Sequence, residues 1–144
     1  MKSKRKLILD NIVSGLSMIL TPKLGKISTK PEDFARLART AFPFVQVEIT
    51  SETKEDIARE WRLSTLTVAI TVHLQGKNNT EQTQTQMAEI IERIEAQMEM
   101  DRTRGGVAQL TELLEIGDMQ ETGYPTVSQT ISIGVQYTYP KGNT

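Results

Sequence analysis

Nucleophiles and metal ligands are the side chains that most directly do chemistry, and this chain is short of both. Cysteine is absent, which removes thiol nucleophiles, disulfides and cysteine metal sites together. There is one histidine, His73, which leaves almost no room for a histidine-based metal site or a conventional triad. His73 falls in an alternating apolar and threonine run and reads as a surface or interface side chain rather than a ligand or base. The eighteen Asp and Glu residues include no pair set in apolar surroundings, the arrangement that separates two carboxyl pKa values for acid/base work. Gly105-Gly106 follows a helical stretch instead of preceding one, and no Gly-Lys-Ser/Thr comes after it, so it does not form a phosphate loop. Serines occur without a nucleophile elbow. The expectation is a non-enzyme with no catalytic, cofactor-binding or metal-binding residue.

Charge points the same way. The formal net charge of −1 over 144 residues conceals a split. Residues 1–30 hold seven Lys/Arg against a single acid, Asp10, whereas residues 31–144 hold ten basic and seventeen acidic side chains. Such a split can mark a nucleic-acid or membrane tail. Here the basic residues border an apolar periodic stretch without interleaved aromatics, which suggests a basic helix on an acidic body. Asp10 and Asn11 interrupt what would be the apolar part of a signal peptide. No run approaches the ~20 apolar residues of a membrane span. The expectation is a soluble, cytoplasmic, single-domain chain over residues 1–144.

The elements that must hold these residues are legible from periodicity. Ile8, Ile12, Leu16 and Ile19 recur at helical spacing and predict a helix from about Lys4 to Leu20, with Gly15 inside it as a kink or close contact and Pro22 ending it. Short strands are expected at Lys26–Thr29 and from Phe44 to Ile49, with a helical turn opened by Pro31 and pinned by Phe34 and Leu37. Leu66, Val68, Ile70, Val72 and Leu74 alternate with Thr65, Thr67, Ala69, Thr71 and His73, predicting a strand from Trp61 to Leu74 with one apolar and one threonine-rich face. After a polar turn at Gln75–Thr80, Met87, Ile90, Ile91, Ile94 and Met98 stripe a helix over residues 81–100. Asp101 to Gly106 stops it. Strands follow from about Val107 to Ile116 and from Val127 to Tyr139, with turns at Gly117-Asp118 and Gly123–Pro125 and a frayed tail at residues 140–144. Residues 51–60, polar around a lone Ile57, read as a long loop that is mobile in an isolated subunit. The fold class expected is α+β: a mostly antiparallel or mixed sheet with two main helices packed over one face.

One unit carries a resemblance. An amphipathic helix runs into Asp101-Arg102-Thr103-Arg104-Gly105-Gly106-Val107-Ala108, then an alternating strand, a glycine-bearing turn and a terminal strand through Val135-Gln136-Tyr137. This is similar to the tail terminators of tailed bacteriophages, the lambda-like minor tail proteins that cap the tail tube. Lys30-Pro31-Glu32-Asp33-Phe34, the strand into Val47-Glu48 and the polar stretch before Trp61 match in placement. The resemblance implies a structural virion protein of the tail or neck, present in the host cytoplasm during assembly. It implies a homo-oligomeric ring, a hexamer, that ends polymerisation of the major tail tube protein and docks the head-completion or connector protein. DNA would pass through the lumen without sequence-specific binding, and no cofactor or membrane is implied. In such a ring the charged stretch Glu52, Lys54, Glu55, Asp56, Ile57 and Arg59 is the expected subunit interface, meeting Arg102 and Arg104 of a neighbour. Another phage neck or tail-completion component is the alternative within virions. A small cytoplasmic ligand-binding domain and a membrane-surface adaptor using the basic helix are the alternatives outside them.

Overall fold

A computed structural model describes residues 3–19, 23–30, 39–75, 81–123 and 126–140. Helix α1 spans Lys4–Ser17. Its N-cap is Ser3, whose Oγ accepts from the Lys6 backbone N–H at 3.2 Å, satisfying one of the amides that a helix start leaves open. Strand β1 (Lys26–Ser28), a 3-10 turn (Arg39–Ala41), β2 (Phe44–Ala58) and β3 (Trp61–Gln75) follow. Helix α2 is Glu81–Met100, and β4 (Leu110–Ile116), β5 (Gln120–Gly123) and β6 (Thr126–Pro140) complete the order.

The strands form one mixed sheet in the order β1-β2-β3-β6-β4, with β5 also paired to β6. Among the described strands only the β1–β2 pair is parallel. β2, β3 and β6 are fifteen residues each and pair over their full lengths, Phe44↔His73 through Ala58↔Trp61 and Trp61↔Pro140 through Gln75↔Thr126. At roughly 3.3 Å per residue these strands reach about 50 Å, well beyond a fourteen-residue α1 of about 21 Å. β4 and β5 are successive segments along the same strand, β6. Between them the Gly117 N–H donates to Thr130 O at 2.9 Å.

Both helices bury the same sheet face. Ile8, Ile12 and Leu16 of α1 and Met87, Ile90, Ile91, Ile94 and Met98 of α2 meet Val45, Val47, Leu66, Val68, Ile70, Val72, Ile131, Ile133 and Val135 in a single core. The α+β architecture with helices over one face is therefore as the periodicity predicts. Gly15 sits where α1 crosses α2: a Cβ there would lie 3.6 Å from Met98 Cε. Gly25 is held against backbone, where a Cβ would stand 2.4 Å from the Ala41 carbonyl carbon. Its N–H donates to Pro43 O at 2.8 Å.

Residues 51–60 are not a loop. They continue β2 to Ala58 and turn through Arg59 and Glu60 directly into β3. The reason lies in the register. An irregularity between Ile49 and Ser51 shifts the alternation by one residue, so that Val45, Val47 and Ile49 are succeeded on the helix-side face by Glu52, Lys54 and Asp56. The opposite face carries Ser51, Thr53 and Glu55. Neither face is apolar, and the period-2 signal disappears although the strand does not. The strand expected from Val107 starts at Leu110 instead, because residues 102–107 form turns with positive φ at Arg104 (50°), Gly105 (72°) and Gly106 (89°). β5 is an additional short strand, and Pro140 belongs to β6. The Pro31–Leu37 turn, residues 76–80 of the polar turn before α2 and residues 141–144 lie outside the described residues.

Candidate assembly surface

The expected interface residues divide once they are placed. Glu52 is an internal strut. Its side chain is 14% exposed and accepts from Arg5 Nε and Nη2 (2.5 and 3.0 Å), Ser64 Oγ (2.5 Å) and Tyr137 OH (3.0 Å). One carboxylate thereby ties α1, β2, β3 and β6 together. Burial alone would push its pKa up, but the hydrogen bonds from Arg5, Ser64 and Tyr137 outweigh that and hold it at about 2. Burial raises the Tyr137 phenol. Lys54 Nζ lies 3.8 Å from Glu52 and 4.9 Å over the centre of the Tyr139 ring. Lys4 Nζ donates to Thr138 O at 2.5 Å, which fixes the start of α1 on β6.

Arg104 is not available to a neighbour either. It is 1% exposed, with Nη2 donating to Met98 O at 2.5 Å and Nη1 to Met98 Sδ at 3.3 Å. Burial lowers its pKa, partly opposed by Asp101. A cation at the carbonyl end of α2 complements the helix dipole and caps a carbonyl that lacks an intrahelical partner. Asp101 organises the same turn by accepting from the backbone N–H of Thr103 and of Gly105 (3.2 and 2.6 Å). Arg104 and Glu52 are thus corrected from interface to internal roles. Glu55, Arg59 and Arg102 remain exposed, Ile57 is 51% exposed, and Asp56 pairs with Arg62 Nε at 3.1 Å on the surface.

His73 is also corrected. It is 5% exposed and stacks on Phe44 with ring centres 5.5 Å apart, and burial lowers its pKa. It lies on the threonine-rich face as its position in the alternation predicts, but Phe44, directly across the ladder, makes that end of the face apolar and enclosed.

The polar hub had a signal of its own. On the core face of β3 the apolar run stops at Leu66, and Ser64 and Arg62 take the next two positions. Lys54 and Asp56 stand opposite them in the register, with Glu52 opposite Leu66. Arg5 and Tyr137 come from distant segments, and no local spacing announces them.

Two further surfaces stand out. The sheet face turned away from the helices carries Thr65, Thr67, Thr71, Thr130, Ser132 and Gln136, all half-buried, with Thr71 and Thr130 hydroxyls 3.0 Å apart across the strands. Charged side chains appear only toward its margins, as Glu48 and Glu55 on β2 and Glu112 and Glu115 on β4. The second surface is the edge strand β4, where Leu113, Leu114 and Ile116 are 41%, 53% and 40% exposed. The groove between α2 and β4, lined by Glu95, Met98, Glu99, Thr111 and Leu113 among others, holds only about 10 Å³, less than one water needs. Among the described residues no three His, Asp or Glu side chains converge as a metal site would require. No described helix is long and apolar enough to cross a membrane. No family model matches this sequence, and no curated protein matches it.

Proposed function

We propose that this protein is a structural subunit of a tailed-bacteriophage virion: a tail terminator that assembles as a ring, a hexamer, on the end of the tail tube. It would stop addition of the tube protein and present a docking face to the head-completion protein. The observation that carries the reading is a sheet whose described helices lie on one side and whose other face is lined by uncharged hydroxyls between β3 and β6. A face of that chemistry suits a channel wall. It is wet enough to need no apolar cover and holds no cation row to grip phosphate, so DNA would slide past without being held or read. The open edges of the sheet favour assembly, since unpaired strands invite a partner.

Glu52 and Arg104, the most enclosed charged groups of the predicted interface, are spent on holding α1 and α2 in place. A membrane-surface role for α1 is less well supported, because Ile8, Ile12 and Leu16 are fully buried in the core. Negative-stain imaging of the purified protein, alone and mixed with terminator-deficient tails, tests the proposal. Rings of about six subunits that seat on tube ends are expected. A protein that stays monomeric and binds anionic vesicles would overturn it.

A further inference from the structure

The charge split along the sequence becomes a split across the sheet. β1 lies at one end of the strand order and β4 at the other. On the β1 side, Lys23, Lys26 and Lys30 are exposed. Lys6 of α1, ion-paired to Asp10 at 2.9 Å, lines one shallow depression there with Asp10, Ile27 and Thr29, so α1 borders this edge while the three lysines carry its charge. On the β4 side, Leu113 packs beside Glu95 and Glu99 of α2, while Glu112, paired to Gly134 of β6, projects from the opposite face with Glu115 beyond it. Leu113 and Ile116 are exposed on the helix-side face of this edge strand, beside Glu95 and Glu99. Leu114, at the irregularity, is exposed on the opposite face with Glu112 and Glu115, its methyls 3.4 Å from where a Cβ on Gly134 would stand, so each side of the edge sets apolar surface beside acids.

An apolar edge strand of this kind needs a cover. Two β4 edges meeting about a two-fold axis would set Glu112 and Glu115 against their own copies, and like charges at a contact oppose it. The β1 edge of a second copy presents the opposite charge. Its basic character ends where β1 does, since β2 beyond it carries Glu48 and Glu55, so the match is confined to the α1/β1 portion.

We infer that copies of this chain join head-to-tail, the acid-rimmed β4 edge of one docking on the basic α1/β1 edge of the next. A contact between two different patches propagates around a closed ring or along a filament. The inference rests on the ring reading and adds which edges meet.

Two variant pairs test it by sedimentation. One reverses the acidic edge (Glu112→Lys with Glu115→Lys) and the other reverses the basic edge (Lys23→Glu with Lys30→Glu). All four side chains are exposed, and circular dichroism with a thermal melt checks that each variant folds. Each pair alone should weaken association about tenfold or more at low salt. An equimolar mixture of the two should restore rings, because every contact in an alternating ring again joins opposite charges. An alternating ring closes only with an even number of subunits, as a hexamer has. Mixing the acid-reversed variant with wild type should not restore it, whereas a two-fold β4 contact would be restored by that mixture. Wild-type rings that survive both reversals would overturn the edge assignment and leave the ring reading standing. Wild-type protein that is monomeric at every salt concentration would overturn the ring reading itself.

Discussion

Replacing Glu52 by Gln removes a charge while keeping a side chain of similar size in the hub. In the folded chain the Glu52 carboxyl is held at about 2, against an ordinary value of 4.5. That difference of roughly 2.5 units corresponds to about 3 kcal/mol of stability linked to ionisation, taken as an upper figure. Glutamine can still accept from Ser64 or Tyr137, so the expected loss at pH 7 is about 2 kcal/mol. The sign follows from the depressed folded pKa. The contribution is fully present above the unfolded value and drains away as pH falls from about 4.5 toward 2, where wild type and variant converge. Urea denaturation of both proteins at pH 7, 4 and 2.5 reads this directly, with ΔG extrapolated at each pH. A wild-type-to-variant difference that stayed constant across those three values would refute the assignment of Glu52 as an ionised strut. So would a difference below about 0.5 kcal/mol at pH 7, which is what an exposed ion pair contributes.

The two glycines that face close neighbours should behave oppositely. Gly15→Ala fits at ordinary contact distance against Met98 and should stabilise by about 0.5–1 kcal/mol through helix propensity, whereas Gly25→Ala would drive a methyl into the Ala41 carbonyl and should destabilise by several times that, both read by thermal melts. Ile94→Ala, at a fully buried site of α2, should cost about 2–5 kcal/mol in chemical denaturation. Hydrogen exchange on the monomer should show alternating protection along residues 51–58, with the amides facing β3 slow and the others fast; uniformly fast exchange would mean that the arm does not form in the isolated subunit.

The elements with one apolar face were legible, and the elements without one were not. Helix α2 was readable to the residue because its stripe of Met87, Ile90, Ile91, Ile94 and Met98 repeats at 3.6 and its first and last residues coincide with changes in composition. β3 was readable for the parallel reason at period 2. The second half of β2 was not, since an apolar alternation exists only where one side of a strand meets a core. At Glu52 β2 reaches the start of α1, where the core-side position meets Arg5 and Tyr137 instead of leucine; beyond it Lys54 and Asp56 meet Tyr139 and Arg62, and the outer positions are exposed. What makes that segment a strand is the continuous ladder to β3, a pairing between residues whose own composition does not demand it. His73 shows the complementary failure: its face was assigned correctly, but burial depends on Phe44, which only the register brings alongside.

The same reasoning separates the roles of charge in this molecule. Glu52 is enclosed and held by Arg5, Ser64 and Tyr137, Arg104 is enclosed with its Nη1 and Nη2 on Met98, and both act on stability. Glu112, Glu115, Lys23 and Lys30 are exposed and contribute little to folding individually, yet they sit at opposite ends of the strand order, where a monomer gains nothing from their separation. A net charge of −1 produced by opposed edges differs physically from one produced by dispersed charges. Dispersed charges leave one copy indifferent to the orientation of the next, whereas opposed edges make the head-to-tail approach the attractive one and the two like-edge approaches repulsive. Orientation is thus selected before any apolar contact forms. In the proposed ring the exposed Leu113, Leu114 and Ile116 would then provide the burial that long-range attraction alone cannot, because at physiological salt charges are screened beyond about 8 Å. Raising the salt should therefore slow ring formation more than it hastens dissociation.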